Sequence, residues 1–156
     1  MTSKDKPNYA LITGINGQDG YYLSKLLVSK GYYVIGLARE GSNTNPNFEN
    51  IKIINTDYSS TDLENIIKSH PIKHIYNLAG QTLVSKSWIM VDETITSQAM
   101  ISLELLKILS LKEYSNIRLI QASSSEIFDD QGQELLNELS PLKPINPYGC
   151  AKAFSF

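Results

Sequence analysis

The 156-residue chain is 42% hydrophobic and has a formal net charge of −2. This length suits one domain with its own core, and the small, dispersed charge provides no basic surface for a nucleic acid. The single cysteine, Cys150, cannot form an internal disulfide, and no apolar run reaches the length of a membrane span. We therefore expect a cytoplasmic protein with no nucleic-acid, membrane or metal partner.

Short apolar runs alternate with amphipathic stretches along the chain. We expect residues 1–8 to form a flexible tail and residues 9–156 to form one domain. The pattern predicts strands at 10–13, 33–37, 51–55, 74–79 and 118–122, helices at 20–29, 61–69 and 92–109, and a further helix beginning at Tyr148. Residues 41–50 and 129–147 have the composition of loops. This alternation predicts an α/β fold, a doubly wound parallel sheet of the Rossmann type in three layers.

Two of the helices carry additional signals. Thr61 with Glu64 three residues later has the form of a capping box, which predicts a helix start at Thr61. In the segment 92–109, apolar residues recur three and four positions apart and predict one face that packs on the sheet. They are Ile95, Ala99, Leu103, Leu106 and Leu109.

A glycine-rich segment lies between the first predicted strand and the first predicted helix. It contains Gly14, Gly17 and Gly20. Glycine permits a tight turn and a close approach of a pyrophosphate, and the free N–H groups of a helix start attract an anion. The context therefore favours a dinucleotide-binding turn over an ordinary strand-to-helix turn.

The end of the second strand bears on the choice of cofactor. An acidic residue at this place normally binds the ribose hydroxyls of NAD, but here Ala38 is followed by Arg39. A guanidinium can hold a 2′-phosphate through two hydrogen bonds, so we expect NADP in preference to NAD. Glu40 opposes this preference, and an exposed Arg39 that only contacts solvent is the alternative.

Residues after the third and fourth strands are further candidates for cofactor contacts. Asp57 could accept a hydrogen bond from the adenine amino group. The small residues after the fourth strand would let a ribose and a nicotinamide approach the backbone. Each feature, taken alone, also fits an ordinary turn. The second segment consists of Leu78, Ala79, Gly80, Gln81 and Thr82.

Tyr148 and Lys152 are four residues apart and would share one helix face. A nearby ammonium favours the phenolate form of a tyrosine, so this pair is a candidate general base. Ser124, at the end of the fifth strand, could hold a substrate oxygen. Spacing alone does not distinguish it from Ser123 and Ser125.

Glu126 directly follows these serines. A carboxylate here could remove a proton from carbon, a step that simple alcohol dehydrogenation does not need. The alternative is a solvated loop glutamate.

Five segments together resemble the GDP-mannose 4,6-dehydratase family, within the extended short-chain dehydrogenase/reductases and the NAD(P)-dependent nucleotide-sugar epimerases and dehydratases. These segments are TGINGQDG, DYSSTD, YNLAGQT, QASSSEIF and NPYGCAK. The resemblance covers nearly the whole chain and implies that it is an N-terminal part of such a protein, with the substrate domain incomplete.

By this resemblance, Ser124 occupies the place of a catalytic threonine, Glu126 is the base at sugar carbon 5, and Tyr148 and Lys152 complete the catalytic set. The resemblance implies GDP-mannose as substrate, GDP-4-keto-6-deoxymannose as product, internal hydride transfer through NADP, and a homo-oligomer for the full-length form. The implied cofactor-binding residues are Gly14, Ile15, Asn16, Gly17, Gln18, Asp19, Gly20, Arg39, Asp57, Tyr58, Leu78, Ala79, Gly80, Gln81, Thr82 and Lys152.

The chain departs from the family pattern at three positions. Glu40 replaces a second arginine, Glu93 replaces a tyrosine that touches the cofactor, and Asp129 replaces a glycine. These departures leave two alternatives open. One is an epimerase or dehydratase acting on another nucleotide sugar, and the other is a non-catalytic nucleotide-binding fragment.

Overall fold

The computed structural model describes residues 8–42, 51–128 and 135–156. The expected tail, most of the predicted loop 41–50 and Asp129 lie outside these ranges. In the described residues, no helix is long and apolar enough to cross a membrane. By its internal contacts the chain divides into two compact units. Unit 1 comprises Met1–Ala79 and Glu104–Ile120, and unit 2 comprises Gly80–Leu103 and Gln121–Phe156.

A five-stranded sheet organises the fold, with strand order β3-β2-β1-β4-β5. Strand β1 pairs in parallel with β2 and β4, and β2 pairs in parallel with β3. The predicted parallel sheet with flanking helices is therefore confirmed. The strands are β1 (Tyr9–Thr13), β2 (Tyr33–Ala38), β3 (Ile51–Asn55), β4 (Ile72–Asn77) and β5 (Arg118–Gln121).

Five α-helices accompany these strands in the described residues. They are α1 (Gln18–Ser29), α2 (Ser60–Lys68), α3 (Val91–Ile95), α4 (Ile101–Leu109) and α5 (Pro147–Phe154). A π-helical turn at Thr96–Met100, here called the π-turn, connects α3 to α4. Short 3-10 turns lie at Val84–Lys86, Lys112–Tyr114 and Ser125–Ile127.

The core of unit 1 forms between the central strands and α1. Apolar side chains of β1 and β2 are almost fully buried because these strands lie inside the sheet and alternate between its two faces. The main cluster contains Ala10, Ile12, Ile15, Leu27, Val34 and Ala38.

Helix α2 begins earlier than the capping box at Thr61 predicted. The N-cap is Ser59, whose hydroxyl accepts a hydrogen bond of 3.4 Å from the backbone N–H of Asp62. Several residues around the helix start can act as caps, so the position of one Ser or Thr does not fix the boundary.

The buried face of α3, the π-turn and α4 also differs from the prediction. Leu106 is 49% exposed, whereas Leu105 and Ile108 are buried. The buried face includes three polar residues, Thr94, Gln98 and Ser102. Hydropathy spacing alone cannot place these polar residues inside, so the predicted face was shifted.

Strand β4 lies two residues earlier than predicted and ends at Asn77. The hydroxyl of Thr13 accepts hydrogen bonds from the backbone N–H groups of Leu78 (3.0 Å) and Ala79 (2.9 Å) and donates one to Oδ1 of Asn77 (2.7 Å). This buried side chain replaces a strand partner, so the backbone leaves the sheet at Leu78.

Candidate functional site

The turn after β1 is fixed by Gly14. Its φ of 68° lies in the left-handed region, and a Cβ there would lie 2.9 Å from backbone atoms of Ala79. Its carbonyl accepts a 3.0 Å hydrogen bond from the N–H of Gly17. Only glycine combines this φ with this close approach without strain, so the turn keeps its shape only with Gly14.

Helix α1 follows this turn with an N-terminus that has no side-chain cap. Its N-cap is Gly17, and Gln18 and Asp19 lie exposed in the first turn. The first N–H groups of a helix lack partners within the helix and carry a partial positive charge. Because this helix follows a glycine turn, its N-terminus suits a pyrophosphate.

Two of the predicted glycine-segment residues pack inside unit 1 rather than facing solvent. Ile15 is fully buried, and its N–H donates to the carbonyl of Leu37 over 3.2 Å. Gly20 is also buried, and a Cβ there would lie 2.6 Å from the carbonyl oxygen of Gly14. These residues shape the turn from the protein side.

Tyr58 supports the glycine turn from behind. Its hydroxyl donates to the carbonyl of Leu37 (3.1 Å) and accepts from the N–H of Gly14 (3.3 Å). Burial raises the pKa of the phenol, while the Gly14 N–H and the Arg39 charge oppose that rise. The hydroxyl therefore stays protonated at neutral pH and can make both bonds.

The backbone of Tyr58 is unusual as well, because its φ is 63°. A non-glycine residue held in this region costs about 1 to 3 kcal/mol. The N–H of Tyr58 donates to the Thr56 hydroxyl over 2.9 Å, which contributes to holding the conformation. Its buried side chain acts on the turn rather than on solvent.

Asp57 lies exposed beside Tyr58. One of its carboxylate oxygens accepts from the N–H of Ser59 over 2.7 Å, and this hydrogen bond lowers the pKa of the carboxyl group. The side chain is therefore charged at neutral pH, in a turn that leaves it accessible to a hydrogen-bond donor.

Arg39 is exposed directly after β2. Its carbonyl accepts from the Ser42 hydroxyl over 2.6 Å, and the same hydroxyl accepts from the side-chain amide of Asn16 over 3.0 Å. Ser42 therefore connects the Arg39 turn to the glycine segment, a link absent from our sequence analysis.

The predicted segment 78–82 is divided between the two units. Leu78 and Ala79 belong to unit 1, where the Thr13 hydroxyl holds their N–H groups. Gly80, Gln81 and Thr82 belong to unit 2. Within unit 2, the N–H of Gln81 donates to the hydroxyl of Ser97 over 3.2 Å, and Thr82 is exposed.

All four predicted catalytic residues lie in unit 2. Ser124 and Glu126 share the 3-10 turn after β5, where the Ser124 hydroxyl accepts from the N–H of Glu126 over 3.3 Å. Ser123 and Ser125 are exposed, whereas Ser124 is half-buried.

Asn146 joins Glu126 to helix α5. Its side-chain amide donates to Oε2 of Glu126 over 2.7 Å, while its Oδ1 caps α5 by accepting from the N–H of Gly149 over 2.7 Å. The glycine at 149 also permits close contact, because a Cβ there would overlap the Glu126 carbonyl oxygen. Asn146 thus orients the carboxylate relative to α5.

Tyr148 and Lys152 lie on α5, as their spacing predicted, and both are buried. The ammonium of Lys152 is 5.9 Å from the centre of the Tyr148 ring and donates to the carbonyl of Ala122 over 2.8 Å. Burial lowers the pKa of Lys152. A cation held beside a phenol ring is the arrangement that makes the phenol a usable base.

Sequence reasoning missed three residues that shape these groups: Thr13, Ser42 and Asn146. Asn146 was recognisable, because Asn followed by Pro is a common start of a helix. The partners of Thr13 and Ser42 are far away in sequence, so no local pattern identifies them. In the described residues, no group of three or more His, Cys, Asp or Glu side chains could hold a metal ion.

A family model for GDP-mannose 4,6-dehydratase matches residues 11–156. The chain belongs to the GDP-mannose 4,6-dehydratase family. GDP-mannose 4,6-dehydratase of Drosophila melanogaster is 36% identical over 99% of this chain and 42% of that relative. The enzyme of Homo sapiens is 35% identical over 96% of this chain and 44% of that relative. The chain thus spans less than half the length of these GDP-mannose 4,6-dehydratases.

Solved structures show the same fold for this member of the dehydratase family. A UDP-glucose 4-epimerase of Thermotoga maritima, solved with UDP-glucose, has a TM-score of 0.83 at 24% identity and is matched over 94% of this chain and 48% of its own. A UDP-glucose 4-epimerase of Brucella ovis, solved with NAD, has a TM-score of 0.84 at 19% identity, over 95% of this chain and 45% of its own. At these identities, the likeness concerns the fold alone.

Proposed function

We propose that this chain supplies the dinucleotide-binding segment and the four catalytic side chains for the dehydration of GDP-mannose to GDP-4-keto-6-deoxymannose. The observation that carries the proposal is the hydrogen bond from Asn146 to Glu126. It holds a carboxylate at the start of the helix that bears Tyr148 and Lys152. Alcohol oxidation uses the tyrosine and lysine, and the carboxylate adds the base that a dehydration needs.

The residues of unit 1 fit a dinucleotide. The Gly14 turn has no room for a side chain, and α1 offers uncapped N–H groups at Gln18 and Asp19. These groups would hold the pyrophosphate, and Asp57 would accept from the adenine amino group.

Arg39 supports NADP as the preferred dinucleotide. Its exposed guanidinium follows β2, in the place where NAD-binding folds carry an acidic residue. There it would bind a 2′-phosphate, and no carboxylate at that place repels the phosphate.

The first step is oxidation at sugar carbon 4. Tyr148 takes the proton of the 4-hydroxyl group, and the Lys152 charge stabilises the phenolate that precedes this transfer. Ser124 donates a hydrogen bond to the same sugar oxygen. Bound NADP accepts the hydride from carbon 4 and later returns it to carbon 6.

The second step uses Glu126. The new 4-keto group makes the carbon 5 proton acidic, and Glu126 removes it. Two protons are then held by the protein, one on Tyr148 and one on Glu126. One leaves with the carbon 6 hydroxyl as water, and the other returns to carbon 5, so the protein ends in its starting protonation state.

The test is to incubate the chain with NADP and either GDP-mannose or UDP-glucose and to weigh the sugar products by mass spectrometry. We expect GDP-mannose, and not UDP-glucose, to lose one water. Glu126→Gln should abolish the dehydrated product, whereas Glu138→Gln, an exposed glutamate on the loop before α5, should leave it unchanged.

Two outcomes would contradict the proposal. An isomer of unchanged mass from either sugar would indicate an epimerase. Binding of the dinucleotide without any product from a folded chain would indicate a nucleotide-binding module without catalysis.

A further inference from the structure

The π-turn of unit 2 contains a buried amide. Gln98 is only 2% exposed, and it lies in a single π-helical turn within a longer helical stretch. Such turns are rare, and they often occur at functional sites. A fully buried glutamine also loses its hydration, so it remains in a fold only where its hydrogen bonds compensate.

The side chain of Gln98 holds the segment that follows β4. Its Nε2 donates to the carbonyl of Gln81 over 2.5 Å, and the neighbouring Ser97 hydroxyl accepts from the N–H of Gln81 over 3.2 Å. Both backbone groups of Gln81 are therefore bonded to the π-turn. Any Cβ on Gly80 would overlap the Gln98 amide, so glutamine and glycine fit only as a pair.

The backbone carbonyl of Gln98 is bonded to two serine hydroxyls. It accepts from Ser102 over 2.9 Å and from Ser155 over 3.3 Å. Ser155 is the C-cap residue of α5, the helix that carries Tyr148 and Lys152. One residue thus contacts both the segment after β4 and the catalytic helix.

A second connection leads from the π-turn to the lysine. The Ser102 hydroxyl lies 3.0 Å from Oε1 of Gln121, whose Nε2 donates to the carbonyl of Ala122 over 3.2 Å. That same carbonyl accepts from Lys152 over 2.8 Å. The chain of hydrogen bonds therefore runs from Gln98 to the partner of the Lys152 ammonium.

We propose that Gln98 is a positioning residue: it fixes Gly80 and Gln81 in the conformation that receives the dinucleotide and couples this segment to the hydrogen bonds of Lys152. The inference rests on the proposed function, because it needs a dinucleotide to bind along residues 80–82. It assigns a role to a residue that touches neither cofactor nor substrate.

An isosteric substitution tests the hydrogen bond to Gln81. Gln98→Glu replaces the donating amide by a carboxyl group of the same size. When charged, this group repels the Gln81 carbonyl; when protonated, its O–H can donate to that carbonyl. Burial raises the pKa of a carboxyl group, so the protonated form should be reached within a few pH units below neutral.

The readout is NADP binding by titration calorimetry at about pH 8 and about pH 5.5. We expect Gln98→Glu to bind NADP about tenfold more weakly than the unmodified chain at the higher pH, the cost of one broken buried hydrogen bond. At the lower pH the ratio should fall to about twofold or less. A merely structural loss would not recover on acidification.

Other groups that titrate near the π-turn act on both proteins. The titratable side chains on the elements packed against it are Tyr148 and Lys152 on α5 and Asp92 and Glu93 on α3. Taking the ratio of the two affinities at each pH removes their contribution. Asn65→Asp, an amide-to-acid change on the exposed side of α2, should show a ratio near one at both pH values.

The outcomes separate the inference from the proposed function. If the unmodified chain does not bind NADP, the proposed function fails, whatever Gln98 does. If it binds NADP and Gln98→Glu binds equally well at both pH values, the role of Gln98 is overturned.

A second variant covers a failure of Gln98→Glu to fold. Gln98→Asn keeps the amide but is too short to reach Gln81. A folded Gln98→Asn should bind NADP about tenfold more weakly at every pH. Unmodified affinity in this variant would overturn the inference.

Discussion

The individual side chains of the site differ in how they depend on pH. Lys152 is 5% exposed, and its burial lowers its pKa. In the unfolded chain the same ammonium keeps its ordinary, higher pKa. Between these two values the unfolded chain binds more protons, so the stability of the fold rises as the pH rises through this window.

Lys152→Met should therefore stabilise the chain at neutral pH, because it removes a buried charge and keeps the apolar stem. As the pH is raised from about 8 towards about 10.5, the unmodified chain loses its buried charge, and the difference between the two unfolding temperatures should shrink. Thermal unfolding followed by circular dichroism measures it. A constant difference over this range would contradict the assignment of Lys152 as a buried ammonium.

Tyr58 provides a second test at the residue scale. Tyr58→Phe removes the hydroxyl that bonds Gly14 and Leu37. We expect NADP affinity to fall about fivefold, because the glycine turn loses one of its supports. Tyr33→Phe, on an exposed tyrosine, is the matched control. Equal NADP affinities for the unmodified chain and Tyr58→Phe, measured by calorimetry, would show that the turn does not need this support.

Among the elements, helix α5 depends most on one cap. Asn146→Ala removes the acceptor for the Gly149 N–H and the donor to Glu126. Loss of such a cap costs about 1 kcal/mol, which lowers the unfolding temperature by about 2 to 4 °C in a chain of this size. Ser59→Ala, which removes the cap of α2, should cost a similar amount.

The two cap variants should differ in catalysis. Only Asn146→Ala frees the Glu126 carboxylate, so formation of the dehydrated sugar should fall about tenfold with Asn146→Ala alone. A similar rate for both variants would show that Asn146 acts as a cap and does not position Glu126.

The strands were the elements best predicted from sequence. Apolar runs such as residues 51–55 match β3 residue for residue, since a short buried strand leaves a continuous apolar run. The helices were placed correctly, but their details were not. The buried face of α3, the π-turn and α4 depends on Gln98 and Ser102, which are held inside by hydrogen bonds to residues elsewhere in the chain.

The site was predictable to the same extent. Local motifs identified the Gly14 turn and placed Tyr148 and Lys152 on one helix, because both depend on short spacing. Thr13, Tyr58 and Gln98 hold their neighbours through contacts across 64, 44 and 17 residues of sequence. Such contacts exist only once the chain has folded, so no motif predicts them.

At the scale of the whole molecule, the two units divide the proposed tasks. Unit 1 carries the glycine turn, Arg39 and Asp57, whereas unit 2 carries Ser124, Glu126, Tyr148 and Lys152. Binding of a dinucleotide is the step on which every later step depends. It can be measured without a sugar substrate.

The most direct test of the account is therefore a calorimetric titration of the 156-residue chain with NADP and, separately, with NAD. We predict that NADP binds at least about tenfold more tightly than NAD, since only NADP offers Arg39 a phosphate. Gly14→Val should abolish binding while the chain stays folded, because its side chain fills the pyrophosphate turn. A folded chain that binds neither dinucleotide, or a Gly14→Val variant that binds as well as the unmodified chain, would contradict it.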